Sequence, residues 1–169
     1  MLSPFYGNYL PPGMGQEVNT AEFDVSSLIY GGDLRNARFV HGAVVDSTSL
    51  DAGNTGNTGI LRPGLIMAQV SATGKWKPFV AGASDGTQLP KGVLFTAGLA
   101  MGSPANDRFL ASILVGGVAL YPTGLVIAAD ANYGLALTGA GATVRKHFAF
   151  AFQFADDWMN IVGVPIAAR

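Results

Sequence analysis

Apolar residues come along this chain in short runs cut by Gly, Pro, Asn and Asp, a pattern that belongs to strands rather than to long amphipathic helices. ARFVHGAVVD, from Ala37, reads as a strand with Phe39, His41, Ala43 and Val45 on one side. SLDAGNTGNTG follows as a loop of turn-forming residues, and its repeated Gly-Asn-Thr is too short to be an architectural repeat. ILRPGLIMAQV resumes an extended run with a turn or bulge at Pro63-Gly64, and ATGKWKPFV returns as its hairpin partner across Thr73-Gly74. GASDGTQLPKG is a polar loop carrying the turn signal Asp85-Gly86, GVLFTAG is a further strand, and PANDR is a loop. EFDVSSLIY (Glu22–Tyr30) fits either a strand or a short helix.

The second half is more apolar. Phe109–Ala129 carries no charged side chain and has the length of a membrane span. Gly116-Gly117 and Tyr121-Pro122-Thr123-Gly124 divide it into runs rich in Val, Ile and Leu, which read as two buried strands joined by a turn. ADANYGLALTGAG turns at Ala131-Asn132 and offers a weak strand or helical turn at Leu135–Leu137. KHFAFAFQFA reads as the clearest strand: Phe148, Phe150, Phe152 and Phe154 fall on one face at period 2, with Ala149, Ala151 and Ala155 on the other. A short strand is expected at Ile161–Val164. With no amphipathic helix longer than two turns evident, the expected class is mainly β with little helix.

The first sixteen residues, MLSPFYGNYLPPGMGQ, stand apart. They hold no charge, three prolines and three glycines, with the aromatics Phe5, Tyr6 and Tyr9 among them. Prolines 11 and 12 exclude a helix, so residues 1–20 are expected to be an extended arm and residues 21–169 a single β-rich domain. Met1–Gly15 lacks a basic start and a continuous apolar run, so no signal peptide is expected.

Composition narrows the function classes. Charged residues make up 12% of the chain against a usual ~25%, while 49% are hydrophobic and 23 are glycine, so a lone subunit would have a poorly charged surface. An assembly that covers apolar surface between subunits answers this. The net charge of −1 supplies no basic field, which disfavours nucleic acid and anionic membrane as partners. Cysteine is absent, removing disulfides, thiolate chemistry and sulfur-based zinc sites.

Candidate chemistry is thin. Gly82-Ala83-Ser84-Asp85-Gly86 matches the G-x-S-x-G nucleophile elbow, and Asp130 and His147 follow in the order of such hydrolases. The elbow requires a helix after the serine, however, and Pro90 and Gly92 forbid one, so Ser84-Asp85-Gly86 reads as a turn in which Asp bonds the backbone and Gly supplies positive φ. In VSATGK, Trp76 stands where a P-loop needs Ser or Thr, and GAGATV places Val144 where a dinucleotide fingerprint needs its third Gly. The two histidines lie far apart, and the adjacent Asp156-Asp157 would face opposite ways on a strand. Trp76, between Lys75 and Lys77, fits a packed ring flanked by two exposed ammoniums better than a stacking platform. No cofactor, metal or catalytic residue is expected.

The order LRPGLIMAQVSATGKWKPF, a polar SDG loop, PKGVLFTAG and ILVGGVALYP resembles the head decoration proteins of tailed bacteriophages, the lambda head-stabilising family. The residues that carry the resemblance are Pro63 and Gly64 at the start of an apolar run, Gly74-Lys75-Trp76, Asp85-Gly86, and Gly92-Val93-Leu94. It spans roughly Ala43–Asp130; the region before Ala43 is longer than in lambda-type members, and VRKHFAFAFQFADDW has no clear counterpart.

The resemblance implies a β-clip-like decoration domain, made in the host cytoplasm, that forms a homotrimer on the outer surface of an expanded icosahedral head. It would bind the major capsid protein at local threefold positions and hold the shell against packaged DNA, without catalysis. It also implies an N-terminal arm that orders on the capsid, with Phe5, Tyr6, Tyr9 and Leu10 as anchors and Pro11-Pro12 limiting the entropy lost. Subunit contacts are expected from Leu114, Val118, Leu120 and Tyr121 or from the Ala149 and Ala151 face. The alternatives are a carbohydrate-binding or adhesin-like module, with Trp76, Tyr121, Tyr133 and Trp158 as a stacking platform, or a phage tail component.

Overall fold

A run such as Leu65–Ala68, in which all four side chains are fully buried, needs an apolar neighbour on both faces of its strand, and the fold supplies two. In the computed structural model, residues 28–30, 34–96, 98–101 and 107–156 are described. Five strands close a barrel: β1 (Arg38–Val45), β3 (Ile66–Gln69), β4 (Trp76–Pro78), β5 (Pro90–Leu94) and β7 (Arg108–Gly116), in the spatial order β1-β4-β3-β5-β7. All neighbours are antiparallel except β1 and β4, which close the barrel in parallel at Val45 and Trp76.

Alternation along these strands sorts the apolar residues into two cores. Ala43, Val45, Met67, Trp76, Leu94, Ala111 and Ile113 form one cluster, drawn from all five strands, with Leu61, Leu65, Leu99, Met101, Val126 and Ala128. Their neighbours Ile66, Ala68, Val93 and Leu114 face the other way, against Phe79, Leu120, Leu125, Val144, Phe148, Phe152 and Phe154. The sequence is therefore apolar without clean alternation where a strand is covered on both sides.

β1 corrects an expectation. Its partner in register shifts from Val40–Ile113 to Ala43–Ala111, so one extra residue is inserted around Gly42, which has φ 67°. Such a bulge reverses the facing of everything beyond it. Ala43 and Val45 join one core, whereas Phe39 packs on the other and shares its side of the strand with the exposed His41, their rings 5.4 Å apart.

The Phe-rich segment departs most from its sequence pattern. Gly139–Phe148 is a ten-residue helix, α1, and only Gln153–Phe154 is a strand, β9. The expectations of a Lys146–Ala155 strand and of no helix beyond two turns are thus overturned. The spacing that wins is four: Val144, Phe148 and Phe152 are buried in succession, with the Phe148 and Phe152 rings 4.7 Å apart. Arg145, Lys146 and His147 in the last turn suit the negative end of the helix dipole. Phe150, assigned by period 2 to the same apolar face, is 96% exposed. Leu135–Leu137 belongs to no regular element, although Leu135 is buried.

Phe109–Ala129 divides at its glycines and at Tyr121–Gly124 as expected: β7 ends at Gly116, β8 is Ala119–Leu120, and Pro122–Gly124 is a 3-10 turn. The run after the turn, Leu125–Ala129, is buried in part but makes only an isolated bridge, Val126 to Leu65, rather than a strand. Among the described residues no helix is long and apolar enough to cross a membrane. β8 pairs in parallel with β9, and Ile29 bridges Leu120 from the start of the described chain. β2 (Ile60–Leu61) and β6 (Leu99–Ala100) form a separate antiparallel pair. The class is mainly β, with a closed five-stranded barrel. The arm, residues 1–20, and the expected Ile161–Val164 strand lie outside the described residues.

Candidate docking surface

The residues that carry the family resemblance fall on one continuous β3–β4–β5 unit. Pro63-Gly64 turns the chain into β3, with Gly64 donating to the Leu94 carbonyl. Gly74 closes the β3–β4 hairpin, where its N–H and that of Val70 bond across the turn to Val70 and Lys75 carbonyls. Trp76 is 5% exposed within the barrel core, so it offers no stacking face to a glycan; Trp158 lies outside the described residues. Gly92, Val93 and Leu94 are buried in β5.

The Ser84 turn is built as its sequence suggests. Asp85 Oδ1 accepts from the Thr87 amide at 3.0 Å and its hydroxyl at 2.6 Å, and Gly86 has φ 106°. Thr87 thereby holds the Asp85 carboxyl below its ordinary range. Ser84 is exposed, and the loop runs into β5 without a helix, so the elbow geometry is not present.

Charged side chains in this region are mostly engaged with one another. Lys75 Nζ meets Asp107 at 2.8 Å; hydrogen bonding raises the lysine and lowers the carboxyl. Lys77 lies 3.7 Å from Asp46, whose carboxyl is lowered chiefly by the Thr48 hydroxyl. Trp76 is thus the packed ring expected, but its flanking lysines are paired. Asp156 accepts from Arg145 of α1 at 2.6 Å and 3.2 Å, so it is an ion-pair partner rather than a free strand-end charge; Asp157 lies outside the described residues.

A guanidinium clamp organises the loops at one end of the barrel. Asp51 is fully buried and accepts from Arg62 Nε at 2.7 Å, from Arg62 Nη2 at 2.8 Å and from the Arg62 amide at 3.2 Å. The same guanidinium donates to the carbonyls of Asp130 and Ala131 and lies 5.6 Å from the Tyr133 ring centre. Bonding to Asp51 raises the already basic Arg62 further, and burial raises the Tyr133 phenol. Tyr133 also donates to the Pro63 carbonyl. The clamp joins the Ser49–Ala52 loop to the Ile127–Ala131 segment.

Those two segments wall a groove of about 490 Å³, closed on the remaining sides by Phe79–Ala81, Ala83 and Ala140. Its lining is mostly alanine and aliphatic, and Leu50 and Val80 on it are 57% and 52% exposed. Ser49, 2% exposed, lies along it with a hydroxyl oxygen that meets no hydrogen-bond partner among the described residues. This groove had no signature in the sequence, because its residues come from four separated segments.

The expected subunit-contact residues divide. Leu114 and Leu120 are fully buried within the protomer and cannot meet another subunit, which corrects that expectation; both complete the core that packs α1. Val118 and Tyr121 are partly buried, and Tyr121 packs on Tyr30 with ring centres 5.4 Å apart. Ala149 is exposed and Ala151 half-buried, on either side of Phe150 in the turn after α1. The capsid-arm residues Phe5, Tyr6, Tyr9, Leu10, Pro11 and Pro12 lie outside the described residues. Searches against protein-family models and against curated proteins found no match to this chain.

Proposed function

We propose that this protein is a structural decoration subunit of a tailed-phage head, binding the outer surface of the expanded shell as a homotrimer and stabilising it against internal DNA pressure. The observation that carries this reading is the placement of the residues behind the family resemblance. Pro63-Gly64, Gly74-Lys75-Trp76, Asp85-Gly86 and Gly92-Val93-Leu94 occupy successive turns and strands of one small unit, where they close turns or pack the core, except Lys75, which pairs with Asp107. The β-clip assignment belongs to this same proposal. Exposed apolar side chains on a chain with few charges give further support, since Phe150, Leu137, Leu50 and Val80 are each more than half exposed.

The mechanism is energetic clamping without catalysis. A trimer that contacts several capsid subunits at once resists their separation, and three linked contacts bind with avidity well beyond one. The uncharged, aromatic arm supplies the anchors: if it adds a strand to a capsid sheet edge, backbone bonds give affinity and Phe5, Tyr6 and Tyr9 fill pockets. Co-sedimentation with expanded, undecorated heads tests this. The full chain should bind to a saturable ratio, and deleting residues 1–16 should leave a folded protein that no longer binds. Unchanged binding by the deletion variant would sink the arm mechanism.

A further inference from the structure

An exposed benzyl side chain and an open apolar groove lie on the same protomer, at opposite ends of α1. Phe150 is 96% exposed in the turn that follows the helix, whereas Ala140, in its first turn, lines the groove. Ten residues of helix separate them by about 15 Å. A protomer cannot fill its own groove with this turn, but a second copy can.

We infer that protomers join head to tail, the Phe150 turn of one seated in the Leu50–Val80 groove of the next, and that this contact closes the homotrimer. The inference rests on the trimer in the proposed function. Size, polarity and charge support the match. At about 490 Å³ the groove falls in the range of pockets that enclose a small organic ligand, roughly 300–1,000 Å³, so it has room for the ring. The small Ala149 and Ala151 beside Phe150 allow the turn's backbone to approach closely. Exposed Lys146, four residues before Phe150, complements exposed Asp85 on the groove rim, and the other charged lining residue, Lys77, lies 3.7 Å from Asp46, which offsets its charge. Because knob and groove are different patches, the contact is heterologous, and such contacts form rings when the rotation closes.

Sedimentation velocity on the full chain and two variants tests the contact. Phe150→Asp removes the knob at a position that touches little of its own protomer, and Ala81→Trp fills the groove from an exposed site; Leu50→Asp is a second groove variant should the tryptophan disturb folding. Circular dichroism should match the parent for each. The parent should sediment as a trimer, and each variant should weaken self-association by at least ~30-fold, the size of a hot-spot loss. Mixing the Phe150→Asp and Ala81→Trp chains should then yield dimers, because one supplies the intact groove and the other the intact phenylalanine. A monomeric parent, trimeric variants, or a mixture that stays monomeric would each overturn the inference. Monomers that still bind heads would refute the ring alone, and rings that ignore heads would refute the decoration reading alone.

Discussion

Arg62 holds three chain segments together, and its removal should be felt well beyond the loss of one surface ion pair. Arg62→Ala deletes the Nε and Nη2 bonds to Asp51 and the bonds to the Asp130 and Ala131 carbonyls, all between 2.7 and 2.9 Å. The Asp51 carboxylate, fully buried, is left without its cation, whereas the Arg62 side chain is itself only 11% exposed. Breaking a buried pair from one side costs ~3–5 kcal/mol. For a chain of this size that corresponds to a fall of about 6–20 °C in Tm, at ~2–4 °C per kcal/mol. Urea unfolding followed by tryptophan fluorescence measures it, with the buried Trp76 as reporter, at one fixed protein concentration because assembly shifts apparent stability. The apolar double variant Asp51→Leu/Arg62→Met should lose less than Arg62→Ala alone, since no unpaired charge remains. A loss below about 1 kcal/mol for Arg62→Ala would refute the claim that this pair is buried and mutually dependent.

Further outcomes follow from individual positions. Gly92→Ala should destabilise by ~1–3 kcal/mol in urea, because an added Cβ would lie 2.6 Å from Ile113 Cγ2 and 2.8 Å from the Leu114 carbonyl oxygen; an unchanged midpoint would contradict that close approach. Ser49→Ala should be neutral or mildly stabilising, since its buried hydroxyl has no partner to lose among the described residues, and a loss above ~2 kcal/mol would reveal a bond made outside them. Asp46, Asp85 and Asp107 have lowered carboxyl pKa values, so their contribution is complete above the ordinary value of 3.8 and is lost as pH falls through the depressed values. Lys75 is raised above 10.5, so its contribution holds below that pH and is lost as pH climbs through the raised value. Asp107→Asn should therefore flatten both limbs of a urea-midpoint pH profile, and unchanged limbs would argue against the Lys75–Asp107 pair.

Much of the barrel was legible because its turns are chemically explicit. Pro63-Gly64 and Thr73-Gly74 bound β3 and β4 where the sequence puts them, Asp85-Gly86 precedes a β5 that starts two residues before the expected Gly92 and stops at Leu94, and Gly116-Gly117 ends β7. Facing was harder to read. The bulge at Gly42 inserts one residue and reverses Ala43 and Val45 relative to Phe39, which no count of alternation foresees. The Phe segment misled for a related reason: phenylalanines at every second position contain a spacing of four, and tertiary packing of Val144, Phe148 and Phe152 selected it. The Arg145-Lys146-His147 run was the available signal for a helix end. Leu114 and Leu120 looked like interface residues because a doubly covered strand has no polar face to mark its inner side. The groove and the Phe150 knob depend on long-range proximity, so only the fold brings them into view.

Electron cryomicroscopy of expanded, undecorated tailed-phage heads incubated with the purified protein, the heads being those of the phage that the decoration proposal requires as its source, tests that proposal most directly. The decoration account expects extra density on the outer surface at the local threefold positions, with three copies at each and a strand of the N-terminal arm running into the shell. Heads that remain bare at saturating protein, or density confined to the tail, would contradict it.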